Sequence, residues 1–189
     1  MVGPPVDVDY ALPPAIEKMQ GSWMSTLQSG AVVTSVIAGV EAQLLVFYSD
    51  NGSFGLDDNA PSSKIQIVIQ ILTYVALVCS VSATITSLFL IDEFGEIPTR
   101  AARYRNPSTQ ACKMAGTDWS LLEAFRLRRG SKFVVYHWLS SILAAALCTV
   151  LSTAVYVVSQ KPLAAQVIIT VVTVVSVLPF LYFVVPGED

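Results

Sequence analysis

Apolar residues gather in four long runs separated by polar segments. Residues 29–48 contain one charge, Glu41; residues 65–91 and 162–185 contain none; residues 133–159 contain only His137. A helix rises about 1.5 Å per residue, so roughly 20 residues cross a hydrocarbon core about 30 Å thick. Each run therefore predicts a membrane-spanning helix. The runs are continuous and lack the alternation of a membrane barrel strand, which favours helices over strands. The second and third runs exceed the minimum and predict tilt or extension beyond the bilayer. The β-branched stretch ITVVTVVSVL in the fourth is still expected to be helical, because lipid offers its backbone no competing partners. Pro179 predicts a kink there.

Basic residues orient the spans. Eight of the eleven, Arg100, Arg103, Arg105, Lys113, Arg126, Arg128, Arg129 and Lys132, lie between spans two and three. Cytoplasmic loops carry such an excess. The expected fold is an all-α membrane protein with four transmembrane helices and cytoplasmic N and C termini. The layout is an N-terminal arm (1–28), span one (29–48), outer loop (49–64), span two (65–91), basic cytoplasmic loop (92–132), span three (133–159), a tight turn around Lys161, and span four (162–185). Asn51, in the sequence NGS, is a glycosylation acceptor pattern on the expected outer side; the similar Asn106 is blocked by Pro107. The N-terminus has acids and prolines where a secretory signal has a basic region, so span one is expected to serve as its own targeting signal.

Outside the spans, Pro4, Pro5, Pro13 and Pro14 predict an irregular arm to about Met19. Trp23 falls where an interfacial anchor belongs. In the basic loop, DWSLLEAFRLRRG predicts a short amphipathic helix, with Ser120 and Glu123 at capping-box spacing and Gly130 as terminator. Trp119, Phe125, Arg126, Arg128 and Arg129 are its candidate residues for the membrane surface, arginines on lipid phosphates, or for a cytosolic partner.

With 53% hydrophobic and only 13% charged residues, against roughly a quarter charged in soluble domains, the composition excludes an ordinary soluble core. The net charge of −3 gives nucleic acid no electrostatic support. Cys79, Cys112 and Cys148 form no CxxC pair, so neither a disulfide framework nor a zinc site is expected; Cys112 is a candidate for acylation only by its location. No converging catalytic set appears, and redox cofactors would want facing histidines where there is one. No enzyme, metal or cofactor is expected. His137, beside Trp138, reads as an interfacial anchor.

Glu41 is the informative residue, because an ionisable group inside a span is expensive. It shares a helical face with Gly30, Thr34 and Ala38, while Gln43 points to another flank. Gln66 and Gln70, near the outer end of span two, are candidate partners for Glu41 or Gln43. Glu41, Gln43, Thr34, Gln66 and Gln70 thus form the candidate intramembrane polar site. One reading has Glu41 protonated or hydrogen-bonded to hydroxyls of neighbouring helices; another places it in an acidic ring around a cation pore, and a third in proton-coupled transport. Hydroxyls recur at Ser80, Ser82, Thr84, Thr86 and Ser87, and Ser141, Ala145, Cys148 and Ser152 are spaced like a heptad seam.

The segments VIAGVEAQLL, SATITSLFLIDEFGEIPTRAARYR, YHWLSSILAAALC and VLPFLYFVVP together resemble the uncharacterised four-pass membrane proteins abundant in basidiomycete fungi. That resemblance implies an architecture and no activity; it also implies that Gln can stand where this chain has Glu41. Val40, Glu41, Ala42, Gln43 and Leu44 are similar to the V-E-x-Q-L run of Orai-type calcium channels, without the basic stretch that precedes the pore helix there. The leading expectation is a non-enzymatic helix bundle that assembles or scaffolds in the plasma membrane or an endomembrane. The alternative is an oligomeric cation channel with Glu41 in the pore. The expected partners are the lipid bilayer, further copies of the chain, and a cytosolic protein at the basic loop.

Overall fold

The computed structural model describes residues 11–56, 63–103, 118–125, 127–128 and 130–184, with 118 and 179–184 described through their backbone alone. The described residues form helices α1 (Pro14–Ser49), α2 (Lys64–Gly95), α3 (Ile97–Arg103), α4 (Asp118–Ala124), α5 (Ser131–Gln160) and α6 (Leu163–Val184), with a 3-10 turn at Asn51–Phe54 and no strand. Pro14–Ser49, Lys64–Arg103 and Ser131–Gln160 are each long and apolar enough to cross a membrane. The helix of α6 runs through Pro179, and the tight turn expected around Lys161 lies between Gln160 and Leu163.

Residues 14–19 are not an irregular arm. Pro13 O accepts from the N–H groups of Ile16 and Glu17, and Pro14 occupies the first helical position. A proline there loses nothing, since its missing N–H would have had no helical partner. The remaining prolines of the expected arm, Pro4 and Pro5, lie outside the described residues.

Burial along the helices keeps a heptad. In α1 the buried residues Gln20, Leu27, Thr34, Glu41 and Tyr48 recur every seventh position. In α2 and α3 they step alternately by three and four, from Gln66, Ile69 and Thr73 to Phe94, Ile97 and Ala101. Such spacing marks a left-handed coiled-coil seam. Many of these positions carry small or hydroxyl side chains, the composition that lets membrane helices approach closely.

Contacts sort the chain into two units, residues 1–33 with 84–138 and residues 34–83 with 139–189. In the first, Pro98 has no N–H to give the carbonyl of Phe94, four residues earlier. Gln20 Nε2 donates to that carbonyl at 2.6 Å instead. Trp23, Phe94 and Trp119 form an aromatic cluster with ring centroids 5.5–6.3 Å apart. Trp138, the neighbour of His137, is buried and donates from Nε1 to Ser87 Oγ at 2.6 Å. Its ring lies over Gly30, where an added Cβ would be 2.6 Å from Trp138 Cζ2.

In the second unit the end of α1 meets the start of α2. Tyr48, Phe54, Ile69 and Tyr156 form a buried cluster, closed by Tyr156 Oη donating to Ser53 O at 3.3 Å. Gly55 leaves the 3-10 turn at φ 66°, a left-handed conformation that glycine adopts without strain. Helix α6 is mostly exposed, with a half-buried stripe at Ala165, Ile169, Thr173 and Val177.

The notch at Gly30 makes opposite predictions for two helical glycines. Gly30→Ala must displace a ring already held by Ser87 and should lower stability by about 1–3 kcal/mol. Gly21→Ala, with nothing within 4 Å of the new methyl, should raise it by about 0.5–1 kcal/mol. Denaturant unfolding in micelles, followed by tryptophan fluorescence, measures both.

Candidate functional site

The polar site is built on the second unit's seam. Glu41 has 0% of its surface exposed, and Thr34, on the same face, has 1%. Thr149 Oγ1 donates to Glu41 Oε1 and lies 2.8 Å from Ala145 O, so its single proton is shared between two acceptors. Glu41 Oε2 has no partner among the described residues. One heptad along α1, Tyr48 packs on Tyr156, as Glu41 meets Thr149, so α5 runs parallel to α1 in this unit. The hydroxyls of Thr73 and Ser152, both fully buried, donate to the backbone oxygens of Ile69 and Thr149 at 2.9 Å. Their protons are thereby committed to helical carbonyls rather than to the carboxyl group.

Gln66 and Gln70 do not reach Glu41 or Gln43. Their Nε2 groups donate to Tyr48 O at 3.2 and 3.0 Å, and Gln66 also donates to Asn51 Oδ1 at 3.3 Å. The reason is positional: Tyr48 O belongs to the last turn of α1, where carbonyls have no helical partner. Two facing amides satisfy it. Asn51, the glycosylation candidate, is half-buried in the 3-10 turn with its amide oxygen engaged by Gln66. Gln43 is exposed, on the flank expected for it.

The sequence reading missed Thr149. Ser141, Ala145 and Ser152 of the expected α5 seam are buried, while Cys148 and Thr149 are both half-buried and Thr149 is the one that meets Glu41. Stepping by four and then three from Ala145 to Ser152 passes through Thr149, so the signal was present in the 3-4 spacing.

The loop helix differs from its expected role. Leu122, Phe125 and Leu127 are buried, and Trp119 packs on Trp23 and Phe94. Its apolar face is therefore spent on the protein, which removes Phe125 from any lipid or partner surface. Trp23 is likewise a packing residue of this cluster. Ser120 lies inside α4 and does not cap it. Gly130 directly precedes α5, its carbonyl accepting from Val134 N–H at 3.3 Å. Arg128 is exposed; Arg126, Arg129, Arg105, Lys113, Asn106 and Cys112 lie outside the described residues. His137 is exposed on α5 and engaged in an interaction.

Next to this helix, beyond the span expected at 65–91, Arg100 bridges two carboxylates. It donates to both oxygens of Glu93 at 2.6 and 3.0 Å and to Glu96 at 2.5 Å. Those hydrogen bonds hold the Glu93 carboxyl below the usual carboxylate range against the opposing pull of partial burial; the charge of Arg100 and the backbone and charge of Arg128 assist. No family model, no curated protein and no solved structure matches the chain.

Two outcomes follow. Thr149→Val leaves both oxygens of buried Glu41 unpartnered and should cost about 1–3 kcal/mol of stability, measured by unfolding in bicelles. A carboxyl depressed on folding contributes stability above its unfolded value, near 4.3, that is lost as pH falls through the folded one. The Glu93–Arg100 contribution should therefore persist at neutral pH and fade as pH falls from the unfolded carboxyl's range through the lower folded one. Glu93→Gln should remove that part of the acid dependence of Trp23 and Trp119 fluorescence.

Proposed function

We propose that this chain is an integral membrane protein with four α-helical spans, α6 being the fourth, and with both termini and the basic loop on the cytoplasmic side. It works without catalysis, as a helix bundle that assembles at the membrane. The burial of Glu41 against Thr149 of its own chain carries this reading, because a carboxyl group used to join neighbouring helices is a packing element. A ring of carboxylates around a pore would need the same group to face away from its own chain.

The remaining supports are simple. Helix α6 has 22 residues, about 33 Å of rise, which matches a hydrocarbon core. It follows α5 through a turn at Lys161 and Pro162, short enough to return the chain across the bilayer. Eight of eleven basic residues lie between spans two and three, the bias of a cytoplasmic loop. With the apolar face of α4 buried, exposed Arg103 and Arg128 are the groups by which this loop meets lipid phosphates or a cytosolic partner.

Glu41→Gln preserves the shape and a hydrogen-bonding oxygen, so it should leave membrane integration and assembly intact. Neither the wild-type chain nor the variant should pass cations when reconstituted in liposomes. A cation flux whose selectivity changes in Glu41→Ala would replace this reading with an oligomeric channel.

A further inference from the structure

Helix α1 carries a second stripe with coiled-coil spacing, and its residues are exposed. Val32, Val36, Gly39, Gln43 and Val46 follow one another by alternate steps of four and three; the three valines are 62–74% exposed. Valines on such a face suit lipid. Gln43 does not: its amide has no hydrogen-bond partner among the described residues and lies within the apolar run of span one. An amide facing hydrocarbon favours association with another helix that satisfies its donors and acceptor.

We propose that the occupant of this face is a second copy of the chain, packed α1 against α1 with the two Gln43 amides hydrogen-bonded to each other. The inference rests on the membrane reading above. Copies inserted by the same charge rule share one orientation, so a symmetric pair has its two-fold axis along the membrane normal. The two α1 helices are then parallel, and each residue of the stripe meets its own equivalent at the same depth. A primary amide carries both donor and acceptor, so two identical amides complete each other. One turn away at Gly39, nothing lies within 4 Å of the position a Cβ would take, which leaves room for the partner's backbone. A single polar residue in an apolar seam also fixes register, as it does in soluble coiled coils.

The test uses the full-length chain in liposomes, with Cys79, Cys112 and Cys148 changed to Ala and one cysteine introduced by Val36→Cys. Oxidation should give a disulfide-linked dimer, while Val78→Cys on α2 and Val171→Cys on α6, equally exposed, should not. Adding Gln43→Leu to Val36→Cys should weaken dimerisation about three- to tenfold, and Gln43→Asn should largely restore it. Equal cross-linking at all three positions, or a yield indifferent to Gln43→Leu, overturns the proposal. Alkaline carbonate extraction separates the two readings: release from the membrane defeats the membrane assignment, whereas a retained but uncross-linked chain defeats only the dimer.

Discussion

A backbone carbonyl without an N–H partner is costly wherever water cannot replace that partner, and two such carbonyls organise this chain. Pro98 creates one at Phe94, and the end of α1 creates the other at Tyr48. Each is answered by glutamine from the facing helix, Gln20 in one unit and Gln66 with Gln70 in the other. Within each unit, a helix held to its neighbour through a capped carbonyl has little freedom to slip. The glutamines thus work as register pins more than as a polar site.

The seam mixes buried apolar residues such as Leu27, Ile69 and Leu90 with small and hydroxyl groups. The latter include Thr34, Thr73, Ser80, Ala83 and Ser87, whose value lies in close contact and local hydrogen bonds. Trp138 fits because Gly30 makes way and Ser87 takes its N–H. Glu41 fits the same economy, as a polar side chain tolerated where a hydroxyl from the next helix meets it. Helix α4 uses ordinary hydrophobic packing instead, with Trp119 against Trp23 and Phe94 and Leu122 buried. The Glu93–Arg100–Glu96 cluster sits on the same side of the fold, in a setting where charges remain affordable.

Much of this was legible in residue order alone. Helix existence follows from the length and continuity of the apolar runs, and the inward face of α1 from the position of Glu41 among Gly30, Thr34 and Ala38. These are local properties, set by a 3.6-residue period and by the cost of polar groups in apolar surroundings. The early start of α1 was less legible because proline reads as a breaker until its place in the first turn is known.

Which side chain meets which was a tertiary decision. Gln66 could have served Glu41 by composition, but in the fold it reaches the carbonyl at the end of α1 instead. Trp23 and the apolar side of α4 looked like membrane-surface residues because sequence shows amphipathicity without naming the surface it covers. Residue order by itself determined where the helices are and which faces are polar; only the fold decided their partners, because partner choice depends on distances between segments that the chain brings together from far apart.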